Sequence, residues 1–331
     1  MKKKTTALSI LVEANKKETF LPVFLVSISL LIALVAQIVD KFIYPVSQEL
    51  LSPMIAQIII LFVPLYLCLT VAFPEKSPLY MLRSVGFQKL GADHVFLIIF
   101  TTLFMISTSL VLNLAFGGVY SVSDGVTLFG TFTAGEGAGT SSYLYVIAVY
   151  AIAPAFIEEV LFRGFIYTKF AKISDSAAIL LSAIISSLFA FTLIGLPTAL
   201  FCALAYCFIR YTTKTLWACM IVHFVFNLYA LFVQTNVAKY YLSSQNNALL
   251  IICVVVVWLI CSALFSNECA RFFKAKADKI KDGQERSNLP TFTFKKLLNE
   301  SKSIFSHKPT MICAIAALFF FAAITAIGYW G

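Results

Sequence analysis

Hydrophobic residues in this chain come in runs and do not alternate. Nine stretches are apolar nearly throughout: 20–39, 52–73, 94–116, 142–167, 176–194, 196–210, 215–234, 247–265 and 310–330. A run of about 20 apolar residues makes a helix long enough to cross the roughly 30 Å hydrocarbon core of a bilayer. Strand-type alternation is missing, so the pattern predicts an all-α, polytopic integral membrane bundle of about nine transmembrane helices. The sixth run is short and carries Pro197 near its start, which predicts a tilted or broken span. The first run is longer than the roughly 7–15 residues of a secretory signal core and has no small-residue cleavage site, so it is expected to remain as the first helix.

Composition excludes a soluble globule. Of 331 residues 60% are hydrophobic and 12% charged, against about 25% charged in soluble domains. The net charge of +9 could suggest a nucleic-acid partner, but its distribution argues otherwise. If the segments between runs alternate sides from a cytoplasmic N-terminus, 22 of the 25 Lys and Arg residues fall on the cytoplasmic side. Only Lys41, Lys239 and the intramembrane Arg163 do not. Such a bias fixes the orientation of a protein of the cell membrane, and it leaves no case for nucleic acid.

The chain then divides into a basic cytoplasmic segment (1–19), N-terminal spans and loops (20–141) and a four-span core (142–234). An eighth span with its preceding external loop (235–265), a basic cytoplasmic loop (266–309) and a C-terminal transmembrane helix (310–331) complete it. Residues 117–141 are rich in Gly, Ser and Thr, lack Lys and Arg, and are expected outside. The 266–309 loop is expected to be solvated and held near anionic lipid headgroups, at about 1 kcal/mol per basic residue. Eight cysteines without a C-x-x-C pair read as small buried hydrophobes. No internal repeat is evident, which speaks against a transporter.

The chemistry concentrates in two stretches. Residues 157–164, IEEVLFRG, place Glu158, Glu159 and Arg163 inside a span. A charge at the bilayer centre costs about 2.5–3.5 kcal/mol on the mildest scale, so such residues face the bundle interior and carry function. Glu159 and Arg163 are four apart and share a helix face, so they can pair. Glu158 is rotated by about 100° and stays available for proton chemistry. Desolvation there would make it a better base toward water near neutral pH. Pro154 cannot donate to the carbonyl of Tyr150, and a kink there would open the bundle near the acid. The second stretch, TLWACMIVHFVFNLY, puts His223 and Asn227 on one helix face, groups suited to stabilising an oxyanion at low dielectric. Each motif alone could also be an interhelical clamp.

With these motifs the chain resembles the CPBP family, which comprises the CAAX prenyl proteases of the Ras-converting type and bacterial Abi-type and bacteriocin-processing relatives. The family motif E-E-x-x-x-R falls on Glu158, Glu159 and Arg163, and H-x-x-x-N on His223 and Asn227, over roughly residues 142–234. The resemblance implies an intramembrane endopeptidase acting on a membrane-embedded or lipidated peptide or protein. In it Glu158 activates water, Glu159 and Arg163 brace the helix, and His223 and Asn227 stabilise the oxyanion. A middle motif, F-x-x-x-H, supplies the family with a histidine that helps hold the water. Counting from Phe189, that position is Leu193, and Thr192 beside it points about 100° away. The alternative is therefore a catalytically degenerate member acting as a membrane binding, scaffold or immunity protein. No cofactor is required by the sequence. A zinc site would need three protein ligands, for which Glu158, His223 and Cys219 are the available set.

Overall fold

The computed structural model describes residues 7–39, 53–73, 76–115, 140–191, 193, 195–234, 236–237, 240–241, 247–282 and 294–329. Lys41, Lys239, Thr192 and nearly all of the expected outer loop 117–141 lie outside them. The described residues form helices and no strands, and the protein is an all-α polytopic membrane bundle. The helices are α1 (Ala7–Ile38), α2 (53–72), α3 (Pro78–Val85), α4 (Val95–Ala115), α5 (140–171), α6 (Asp175–Ser187), α7 (Leu196–Thr213), α8 (216–234), α9 (Ala248–Lys281), α10 (Phe294–Phe305) and α11 (Lys308–Tyr329).

Among the described residues seven helices are long and apolar enough to cross a membrane, those containing the first four, the seventh, the eighth and the ninth expected runs. The fifth run forms a shorter apolar helix, and the sixth lies in the 18-residue α7. Helix α6, with its 3-10 extension Leu188–Ala190, packs along α7 as a helical hairpin. The hairpin packs within the bundle, so its length is set by neighbouring helices and not by the bilayer. Two short helices returning to their starting side leave the alternation of the other loops unchanged, which is why the charge bias is legible with either count.

Two prolines are accommodated by widened turns. A π-helical segment, Ile58–Phe62, precedes Pro64 in α2, and another, Ile147–Ile152, precedes Pro154 in α5. Proline lacks the N–H that closes an α-turn and its ring crowds the carbonyl four residues back. A π-turn displaces that carbonyl, so the span continues through the proline. A third π-segment, Val160–Ile166, has no proline and contains Arg163 and Gly164.

The charged segment 266–309, expected as a loop, is helical at both ends. Helix α9 runs 34 residues without interruption, about 51 Å at 1.5 Å per residue, so it extends well past the hydrocarbon core. Helix α10 follows, with Ile304 buried and Lys296 exposed. Cysteines 68, 202, 207, 219 and 261 are buried, Cys253 is exposed, and all eight are free thiols.

Candidate active site

Helix α5 is the axis of the site. From Val160 to Tyr167 every side chain on it is buried, so neighbours surround it on all sides. The close fit has a local cause in Gly164. A Cβ there would stand 3.2 Å from both the Leu216 side chain and the Val85 Cβ, so α3 and the start of α8 press directly on the α5 backbone. Gly86 caps α3 in a left-handed conformation (φ 110°), and its carbonyl accepts from the Leu216 N–H at 3.0 Å. The Thr215 hydroxyl donates to the Gln88 carbonyl at 2.6 Å. This stitching sets the position of α8 against α5, and with it the position of His223.

Glu159 is fully buried, at 0% exposure. Its Oε1 accepts from Nη1 of Arg163 at 3.2 Å and lies 2.8 Å from Nδ1 of His223. Arg163 uses Nη2 to reach the Ser186 hydroxyl on α6 at 3.3 Å and the Ala203 carbonyl on α7 at 3.1 Å. One guanidinium thus ties three helices together, in the fork geometry that lysine lacks. Its plane also lies 4.9 Å from the Tyr206 ring centroid, and the same ring stacks on His223 at 4.8 Å and 22°. Tyr206 therefore contacts both partners of Glu159.

The π-segment has its own supports. The Ser182 hydroxyl donates to the Phe162 carbonyl at 2.8 Å, and Nε of Arg210 to the Arg163 carbonyl at 3.3 Å. A widened turn leaves carbonyls within reach of neighbouring side chains, and α6 and α7 each supply one donor. Arg210, which the charge pattern placed in a cytoplasmic segment, lies inside α7 at 7% exposure, with its guanidinium against Gly86 and 5.6 Å from the Tyr167 ring.

The structure brings Glu158, Glu159, Arg163 and His223 together. Sequence spacing names no partner for His223 on the first motif, and its hydrogen bond goes to Glu159. Glu158 is half-buried and, among the described residues, makes no hydrogen bond. Asn227 is half-buried one turn beyond His223, its side chain likewise without a hydrogen-bond partner among the described residues. Leu193 lies in the α6–α7 turn at 57% exposure, beyond the end of the helix on which the F-x-x-x-H count had placed it. Phe191 leaves that helix in the left-handed region (φ 54°).

The suggested zinc set does not assemble. Among the described residues no three His, Cys, Asp or Glu side chains gather as a metal-holding group, and the Cys219 thiol instead faces the carbonyls of Tyr206 and Thr215 at 3.6 and 3.8 Å. Tyr206, Ser186 and Ser182 escaped the sequence reading because an uncharged polar residue in an apolar run carries no cost signal strong enough to flag it.

A sealed carboxylate–guanidinium–imidazole network inside a multi-pass helical bundle places the protein among integral membrane proteins with an intramembrane polar site. Residues 140–229, the stretch that carries this network, match the family described as Type II CAAX prenyl endopeptidase Rce1-like. The match covers about a quarter of the chain and supports the resemblance to the CPBP family over that stretch. No curated protein and no solved structure matches it.

Proposed function

We propose that the protein is an intramembrane endopeptidase of the cell membrane that cleaves a membrane-embedded or lipidated peptide or protein with water activated by Glu158. One observation carries the reading. Oε1 of Glu159 takes both Arg163 and His223 and its Oε2 is shut off from solvent at 0% exposure, whereas the adjacent Glu158 is half-buried and, among the described residues, keeps its oxygens unengaged. A general base must have a lone pair where water can reach it.

In this reading Glu158 takes a proton from water as the oxygen attacks the scissile carbonyl, and later returns it to the departing amine. The Asn227 amide donates to the oxyanion. The hydrogen bond to Glu159 assigns the His223 proton to Nδ1, so the neutral ring presents Nε2 as an acceptor. Nε2 then holds the second hydrogen of the attacking water, a task for which Leu193 has no suitable atom. The protein supplies all of these groups from helices locked by the Arg163 cross-links, which keeps them fixed as charge develops.

The test is cleavage of a membrane-inserted peptide library by the purified protein in liposomes. Wild type should cut, Glu158→Gln should not, and Leu193→His should cut at least as well as wild type. Equal cleavage by wild type and Glu158→Gln would remove the assignment. Cleavage by Leu193→His alone would make the natural chain a binding member of its family.

A further inference from the structure

Tyr206 of α7 is set against two successive turns of α8. Cys219 and His223 lie four apart and share a face of that helix. The Cys219 thiol faces the Tyr206 carbonyl at 3.6 Å, and the His223 ring stacks on the Tyr206 ring at 4.8 Å and 22°. Backbone and side chain of one residue thus fix α7 against α8 at the level of the site. Ala203 lies one turn before Tyr206 on α7. Its carbonyl accepts from Nη2 of Arg163, whose guanidinium carbon stands 4.9 Å from the Tyr206 ring centroid. Arg163 and His223 both reach Oε1 of Glu159, at 3.2 and 2.8 Å. The Tyr206 ring therefore borders both groups that meet at that oxygen.

The hydrogen bond at Nδ1 sets which nitrogen of His223 carries the proton. It holds one corner of the ring only, and a hydrogen bond tolerates about 30° of misalignment. A flat neighbour on the ring face removes that freedom, because aromatic rings attract at preferred angles between their planes. Held at one corner and on one face, the imidazole has a single direction for Nε2. Tyr206 is 5% exposed, and its hydroxyl has no hydrogen bond among the described residues. A buried tyrosine ordinarily finds a partner for its hydroxyl, so the part of Tyr206 that acts here is the ring face. His223 has no substitute either. The other two histidines, His94 and His307, precede α4 and α11, and position 193 is leucine.

We infer that Tyr206 is a positioning residue for the reaction proposed above. Its ring sets the plane of His223, so that Nε2 keeps one direction for the attacking water, and it holds Arg163 at the same carboxylate. The effect on cleavage rests on the proposed function, whereas the ordering of the His223 ring does not.

Two measurements on the full-length protein in liposomes test this. His94→Gln and His307→Gln form the background, so that His223 is the only labelled imidazole. Carbon–proton dipolar couplings then give the order parameter of its ring by solid-state NMR. The ring should be rigid in the background and in Tyr206→Phe, and mobile in Tyr206→Leu. Turnover of a membrane-inserted peptide should stay close to the background value in Tyr206→Phe. In Tyr206→Leu it should fall by about 10²-fold with unchanged KM, the scale of loss for a misplaced group. If Tyr206→Leu does not fold, Tyr206→Met takes its place, since it fills much of the volume without a flat face. A rigid ring or unchanged turnover in the non-aromatic variant overturns the inference, and so does a loss in Tyr206→Phe equal to that in Tyr206→Leu. If the background protein cuts nothing, the proposed function falls and ring order alone decides.

Discussion

His223 and Glu159 sit on different helices, and Nδ1 of one lies 2.8 Å from Oε1 of the other. The bond makes two adjacent carboxylates unequal. Removing the charge of Glu159 strips both Arg163 and His223 of their shared partner. Breaking a buried pair costs about 3–5 kcal/mol, so Glu159→Gln should lower the unfolding midpoint in detergent sharply. Glu158→Gln touches no hydrogen bond and should leave the midpoint within a degree or two of wild type. Similar midpoints for the two variants would contradict the division of roles.

Arg163→Lys keeps the charge and loses the fork. A lysine cannot span Glu159, Ser186 and Ala203 at once. The variant should unfold at lower temperature than wild type and approach Arg163→Ala, and hydrogen exchange should rise in α6 and α7 as well as in α5. Protection lost from α5 alone would mean that the arginine does not link the three helices.

Gly86 and Gly164 should respond differently to alanine. At Gly164 the added Cβ meets a flexible leucine side chain and the Val85 Cβ at 3.2 Å, an overpacking of about 1–3 kcal/mol. At Gly86 it meets the Arg210 guanidinium in a left-handed backbone, so strain adds to the clash. Gly86→Ala should therefore be the more damaging, as measured by yield of folded protein and by midpoint.

Asn227→Ala should reduce cleavage in liposomes by about 10²–10³-fold in turnover, the usual loss for one oxyanion donor, with unchanged KM and midpoint. A loss confined to KM would move Asn227 from the transition state to substrate binding.

How far the sequence could be read depends on which force each feature answers to. The long spans answer to the bilayer, and their apolar length announces them. Helices α6 and α7 answer to their neighbours, so their ends are set by packing that no single run encodes. The segment after residue 266 turned polar and was read as a loop, yet Lys, Arg, Glu and Ala are good helix formers, and α9 continues through them. Glu159–Arg163 was legible because both ends lie on one helix. The partner of His223 was not, because which of two neighbouring glutamates faces α8 depends on the rotation of α5, and α8 is placed by the contacts at Gly164, Gly86 and Thr215.

The hydroxyl of Ser27 on α1 donates to the carbonyl of Cys313 on α11 at 2.6 Å, across 286 positions of sequence. These two helices pack along one another. During synthesis α1 therefore enters the bilayer long before its partner exists, and its buried face waits for α11 to emerge. Closure of such distant pairs is slow, and a chain stopped before residue 308 would present that face to lipid and to quality-control proteases.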